Sequence, residues 1–247
     1  MLLYCCYTPA HAGLYREIFL PSVPDGFEVR ATEIPIEGPG DYLSREFLDC
    51  IRKKIDLVVR SIEENADDVI VWSDVDIRFF RLTDDGLRRE LTSSGKEILF
   101  QRESPRMPDV NTGFFVCRCS PTLRKFFSTV REQLRNRADE NEQMAVNRLL
   151  IGRGYVKAAG KEPSTRNPAH ETALDWGYLP ATFYARTHGW PPPKNPAIYH
   201  ANYTKGADGI GQKFSQFKEI DVINRLGPPA RLWSILRRIP RKIRPRP

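Results

Sequence analysis

Residues 69–80 read VIVWSDVDIRFF. The run Val69-Ile70-Val71-Trp72 is short, apolar and β-branched, which predicts a buried strand. That strand leads straight into Ser73-Asp74-Val75-Asp76. In open α/β sheets, ligands bind outside the carboxyl ends of the strands. Two carboxylates one residue apart point the same way if the backbone stays extended. In a crevice they would repel each other unless a cation sat between them. Hard oxygen ligands suit Mg²⁺ or Mn²⁺, ions that usually share their shell with substrate phosphates. A bare D-x-D also occurs in solvated turns. This one is framed by four apolar residues before it and by Ile77 and Phe79-Phe80 after it, a setting rare for a solvated turn.

Outward from this stretch, strands alternate with helices. LLYCCY, ended by Thr8-Pro9, reads as a buried first strand, and a second covers Phe27 to Ile34. Pro35 to Gly40 is a loop by its Pro and Gly content. From Ser44 the spacing becomes helical, with Phe47, Ile51, Ile55, Val58 and Ile62 on one stripe, ended by Asn65 and Asp67-Asp68. A short helix is expected over Leu87 to Leu91, and strands over Ile98 to Phe100 and Gly113 to Cys117. Pro121 to Leu134 is an amphipathic helix, and a further helix holds Met144, Val146, Leu149 and Leu150. From Gly152 to Pro196 the chain reads as loop, with Leu179 and Phe183 as isolated anchors and Pro191-Pro192-Pro193 as a stiff link. The alternation predicts an α/β fold, a single domain over residues 1–228 with a mostly parallel sheet flanked by helices.

With 247 residues, 40% of them hydrophobic and 28% charged, the chain is neither a disordered nor a membrane-embedded composition. No run approaches the ~18–20 apolar residues of a spanning helix. MLLYCCYTPAH has no basic start, and its apolar run is broken at Tyr7 and Pro9, so no signal peptide is expected. The net charge is +7, and the segment from Arg231 to the end carries seven basic residues and no acidic one. The globular body is therefore formally neutral, and no nucleic-acid partner is expected of it. Five cysteines without framework spacing argue against a disulfide scaffold and for a reducing, cytoplasmic setting. Cys117 and Cys119 read as small buried hydrophobes on one sheet face.

VIVWSDVDIRFF resembles the D-x-D segment of GT-A-type glycosyltransferases of the nucleotide-diphospho-sugar transferase families. Three more segments resemble those families in the same order. VNTGFFVC, residues 110–117, is similar to their N-x-G-F strand. ENEQMAVN, residues 140–147, is similar to their (D/E)-Q-x-x-x-N helix start, and YHANYTKG, residues 199–206, to their late histidine segment. The resemblance spans roughly residues 1 to 220 and implies a Rossmann-type GT-A sheet. It implies Mn²⁺ or Mg²⁺ held by Asp74, Asp76 and His200, with Asp74 also at the donor. It further implies catalytic roles for Asn111, Glu142 and Gln143, an acceptor or sugar pocket at Thr112 and Gly113, and a loop after His200 that closes over a diphosphate. Glu142 stands where Asp is commoner, and the G-x-K-P-W ending of some bacterial galactosyltransferases and of glycogenins is missing after His200. The implied reaction moves a sugar from a UDP-linked donor to a hydroxyl of a glycan or glycolipid, with retention of configuration. Two other readings remain open at this point. A phosphohydrolase of the haloacid dehalogenase type also uses D-x-D, but on its first strand and followed by Thr. A polyanion-binding module would rely on the basic tail.

Further side chains are candidates for the same pocket. Thr8 ends the first strand, where base and ribose would lie, and His11 follows close behind. Lys54 falls near the apolar stripe of its helix, where it either snorkels or meets a phosphate, with Lys53 as the competing choice. Lys205 and Lys213 flank Gly206, Gly209 and Gly211 in what reads as a Gly-rich loop, either folding over a diphosphate or on the surface. Glu142 and Gln143 open a helix, where an acidic residue also suits the macrodipole. Glu103 is another pocket carboxylate, and His170 and His188 read as surface residues. In the tail, residues 229–247, Leu232, Ile235, Leu236 and Ile239 follow three-and-four spacing among the arginines, and Pro240 ends the helix. Such a segment suits an anionic membrane surface on the cytoplasmic side, or else merely solubilises the chain.

Overall fold

A computed structural model of the chain describes residues 1–38, 43–105, 107–137, 139–152, 174–186, 192–202, 204 and 208–226. Lys205, Gly206, His170, His188 and the 229–247 tail fall outside these residues. The first strand, β1 (Leu2–Tyr7), runs parallel to β2 (Glu28–Glu33). Between them Pro9 to Ser22 winds through successive short helical turns, among them α1 (Ala12–Leu14), a stretch to which the sequence reading gave no element. Helix α2 (Arg45–Glu64) starts at Ser44, whose hydroxyl accepts the Phe47 N–H at 3.1 Å, an N-cap. It leads into β3 (Val69–Ser73), buried at every residue, and then into β4 (Ile77–Phe79). Helix α3 (Asp84–Ser94) precedes β5 (Ile98–Arg102), β6 (Val110–Arg118), α4 (Pro121–Asn136) and α5 (Glu142–Ile151).

The segment read as loop contains two strands, β7 (Trp176–Tyr178) and β8 (Phe183–Ala185), followed by β9 (Ile198–His200). The two anchors are explained: buried Leu179 follows β7, and Phe183 begins β8. Three-residue strands carry too little alternation to be read. The Gly209–Gly211 region is not a loop either. It is the first turn of α6 (Gly209–Leu226), where the Asp208 carboxylate accepts the Gly211 N–H at 3.0 Å.

The main sheet has the order β2-β1-β3-β6-β5-β7. Only β6 runs against the others, antiparallel to β3 and β5, so the sheet is mixed and mostly parallel. Along β3 the side chains alternate between two cores. Ile70 and Trp72 join the cluster under α2, α4 and α5, while Val69 and Val71 join the cluster on the opposite face with Phe19, Leu87 and Leu91. Burial on both faces is why this strand is an unbroken apolar run. Cys117 and Cys119 both lie in the first cluster as free, buried thiols. A second, three-stranded sheet, β4-β9-β8, sits beyond the carboxyl end of β3. Helix α6 covers it, with Phe217, Ile220 and Ile223 packed on Leu14, Tyr184 and Tyr199. The site lies where the two sheets meet.

Candidate functional site

After Ser73 the backbone does not stay extended: it turns at Val75 and Asp76. Alternation is therefore not what brings the two carboxylates together. The turn is fixed from both sides. The Asp74 N–H donates to the Gly113 carbonyl of β6 at 2.7 Å, and the Ala201 N–H after β9 donates to the Asp76 carbonyl at 2.8 Å. Pairing of β4 with β9 sets Ile77 opposite His200, so the residue before Ile77 meets the imidazole. One ligand atom each from Asp74, Asp76 and His200 lies within 4.8 Å of the others. His200 Nε2 is 3.3 Å from Asp76 Oδ1. The ring fits because residue 113 is glycine. A Cβ there would lie 2.4 Å from His200 Cε1 and about as close to Asn111 Oδ1, at 2.9 Å, and Asp74 Oδ2, at 3.0 Å.

Two lysines hold the carboxylates. Lys54 is almost fully buried, with Nζ 2.7 Å from Asp74 Oδ1 and 2.8 Å from Glu142 Oε1. Lys213, on the second turn of α6, contacts Asp76 Oδ2. Burial alone would raise the Asp76 carboxyl, but Lys213 and His200 outweigh it and hold it well below the usual carboxylate range. At Asp74 burial wins over Lys54, and the carboxyl is raised. Burial works against the Lys54 ammonium, yet Asp74 and Glu142 raise it above an ordinary lysine. Two carboxylates and an imidazole form a donor set that fits Mn²⁺ or Mg²⁺. The Lys213 ammonium beside Asp76 shows that this position accepts a cation.

The neighbouring wall is a hydrogen-bonded polar network. Asn111 donates to Glu103 Oε2 at 2.6 Å and accepts the Gly113 N–H at 2.8 Å. Gln143 donates to the same Glu103 oxygen at 3.1 Å and accepts the Thr112 N–H at 3.3 Å. The Thr112 hydroxyl donates to Glu142 at 3.2 Å. Burial pushes the Glu103 carboxyl up, against the lowering effect of Asn111 and Gln143. Asn147 anchors α5 to β6, accepting the Val110 N–H at 2.8 Å and donating to the Val110 carbonyl at 2.9 Å. Asn141 caps the same helix by accepting the Met144 N–H at 2.9 Å. Glu142 and Gln143 thus reach the pocket from the helix N-terminus while Asn147 fixes its register.

Residues 27–216 match the family model for nucleotide-diphospho-sugar transferases. The chain belongs to that family. No curated protein sequence matches it. Three solved structures similar to it are distant in sequence. A glycosyltransferase involved in glycosylation of the major capsid of PBCV-1 is 13% identical, with 87% of this chain and 98% of that one covered and a TM-score of 0.51. The galactosyltransferase LgtC, in complex with donor and acceptor sugar analogues, is 13% identical, with 89% and 95% covered and a TM-score of 0.48. The apo form of the glycosyltransferase GlyE of Streptococcus pneumoniae TIGR4 is 10% identical, with 89% of this chain covered and a TM-score of 0.48. The chain spans 63% of the length of GlyE. The first of these matches supports the mixed α/β GT-A architecture.

Within this member of the nucleotide-diphospho-sugar transferase family, the structure brings nearly all the sequence-selected residues to one place. Asp74, Asp76, His200, Lys54, Glu142, Thr112, Gln143, Asn111 and Gly113 share one network. Lys54, not Lys53, is the helix lysine that turns inward, and its partners are carboxylates. Lys213 reaches the site from a helix rather than from a Gly-rich loop. Thr8 is buried at the end of β1, and its hydroxyl lies 2.9 Å from His11 Nδ1. Burial and nearby Lys213 lower the His11 imidazole. Sequence reasoning missed Gln101. Its one visible signal is a lone amide inside the otherwise apolar start of β5, ILFQR.

Proposed function

We propose that this protein is a metal-dependent glycosyltransferase that moves a sugar from a UDP-linked donor to a hydroxyl of a glycan or glycolipid, with retention of configuration. The convergence of Asp74, Asp76 and His200 within 4.8 Å at the carboxyl end of β3 carries the reading. Those three residues would hold Mn²⁺ or Mg²⁺, which would offset the charge that grows on a leaving diphosphate. The chain's own contribution is positional. Lys213 supplies an ammonium beside Asp76 for the diphosphate oxygens, with Lys205 assigned the same task. Thr8 at the end of β1 borders the space for ribose and base. Asn111, Thr112, Gln143 and Glu142 offer hydrogen-bonding groups for sugar hydroxyls, and Gly113 lets the backbone and His200 come close. Retention rests on the resemblance of the D-x-D, N-x-G-F and late histidine segments to the sugar-transferase families. Glu142, engaged by Lys54 and Thr112, and Glu103, engaged by Asn111 and Gln143, are held in fixed positions beside the site. Membership in a sugar-transferase family removes the ground for the phosphohydrolase reading. We place the enzyme on the cytoplasmic side, attached peripherally through its basic tail.

Thermal unfolding with UDP and Mn²⁺, separately and together, tests the reading. The expected result is a rise in Tm that needs both, and release of sugar from a UDP-sugar only when Mn²⁺ or Mg²⁺ is present. Asp76→Asn is expected to keep the far-UV circular dichroism of the parent and to lose transfer. Transfer at the parent rate by Asp76→Asn in chelator-treated buffer would remove the metal assignment.

A further inference from the structure

Gln101 is fully buried near the end of β5. An amide is costly in such a place unless both of its ends are hydrogen-bonded. Here both are. Its Nε2 donates to the Phe183 carbonyl at 3.3 Å, and its Oε1 lies 2.9 Å from His200 Nδ1. The β5–β6 register breaks between Phe100 and Gln101: Phe100 stands opposite Phe115, whereas Gln101 stands opposite Asn111. Irregularities of this kind re-aim a side chain next to active sites.

The chemistry of these partners leaves one arrangement. A backbone carbonyl only accepts, so the amino end of the Gln101 amide must face Phe183. The oxygen end must then face His200, and an oxygen without a proton requires a donor there. His200 Nδ1 therefore carries a proton. In the neutral ring this leaves the lone pair on Nε2, the nitrogen that lies 3.3 Å from Asp76 Oδ1; only in the imidazolium does Nε2–H donate to that oxygen and help to lower the Asp76 carboxyl. Without Gln101 the preference would reverse, because the Asp76 carboxylate would attract a proton to Nε2 and turn an N–H toward the two aspartates. We propose that Gln101 is a positioning residue: it fixes the His200 tautomer so that Nε2 presents its lone pair to a cation at Asp74 and Asp76. The inference rests on the metal-dependent reading above. Outer partners of ligating histidines act in this way, and their loss typically weakens metal binding ~10–100-fold.

Two measurements test it. Long-range ¹H–¹⁵N NMR on the metal-free wild type, recorded on the neutral ring, is expected to show the Nδ1–H tautomer for His200. An Nε2–H tautomer there overturns the inference without any variant. Mn²⁺ affinity, read as free Mn²⁺ by electron paramagnetic resonance, is expected to fall ~10–100-fold in Gln101→Met, which keeps the volume and removes both hydrogen bonds. Gln101→Glu keeps an acceptor for Nδ1–H and is expected to retain that tautomer and most of the affinity. Gln101→Met with wild-type Mn²⁺ affinity and an unchanged tautomer would overturn the proposal. A wild type that shows the Nδ1–H tautomer but takes up no Mn²⁺ would sink the metal-dependent reading and, with it, the purpose assigned to Gln101.

Discussion

A methyl group on residue 113 would enter space already filled by the His200 ring, 2.4 Å from Cε1. The Gly113→Ala variant must therefore move the imidazole or the strand. Overpacking of this kind costs about 1–3 kcal/mol. Gly113→Ala is expected to lower the Tm and also to weaken Mn²⁺ binding, because the ring that yields is the proposed ligand. Titration of Mn²⁺ against the variant checks this, and an unaltered affinity would show that strain is relieved elsewhere. Lys213 makes a different prediction. Its ammonium occupies the Asp76 carboxylate from the side of α6. Removing one partner of a buried ion pair costs up to roughly 3–5 kcal/mol where the other charge is left without compensation, and His200 beside Asp76 keeps the loss here below that. Metal-free Lys213→Met is thus expected to be less stable than the parent. Mn²⁺ should raise its Tm by more than it raises the parent's, since the ion replaces the missing charge without displacing an ammonium. Equal shifts in the two proteins would mean that Lys213 and the cation do not share Asp76.

At the scale of elements, much of the fold was legible where the pattern was long. The α2 stripe from Phe47 to Ile62 and the buried run of β3 could be read because burial dictates their composition over a turn or more. Of the three-residue strands, β9 showed as the apolar pair Ile198-Tyr199 before His200, whereas β4, β7 and β8 could not be read, being too short for local alternation to show. Helix α6 was misread because Gly209 and Gly211 are poor helix formers. The Asp208 cap and the apolar spacing Phe214, Phe217, Ile220 and Ile223 were the signals present. This helix is held on the small sheet by that spacing and by the Arg78–Asp221 and Arg186–Glu219 ion pairs, at 2.6 and 3.4 Å. Its packing therefore decides where Lys213 stands. Ile220→Ala, at a fully buried position, is expected to cost about 2–5 kcal/mol in chemical denaturation and to weaken UDP binding. Leu87→Ala, in α3 on the other core, should cost a similar amount and leave UDP binding unchanged. If both substitutions changed UDP binding alike, the effect would belong to global stability and not to α6.

Across the whole molecule, the site gathers residues that are far apart in the chain. Lys54 meets Glu142, Asp76 meets Lys213, and Gln101 meets His200. The motifs suggested which residues matter, but spacing along one chain holds no record of such pairings, which sheet order alone creates. The same scale separates the neutral body from its tail. All of the +7 net charge is matched by the seven basic residues from Arg231 onward. Among the described residues no helix is long and apolar enough to cross a membrane. Attraction of a polybasic segment to an anionic surface is worth ~1 kcal/mol per Lys or Arg and fades within a Debye length. Our proposal of peripheral attachment therefore predicts binding that is reversible and salt-sensitive. The full chain is expected to sediment with phosphatidylserine-containing vesicles at low ionic strength and to be released by high salt. A chain ending at Gly227 should stay in the supernatant at both while still hydrolysing the donor in solution, because every residue of the network precedes it. Equal sedimentation of the two chains would deny the tail this role, whereas loss of donor hydrolysis in the shorter chain would mean that the tail also supports the catalytic fold.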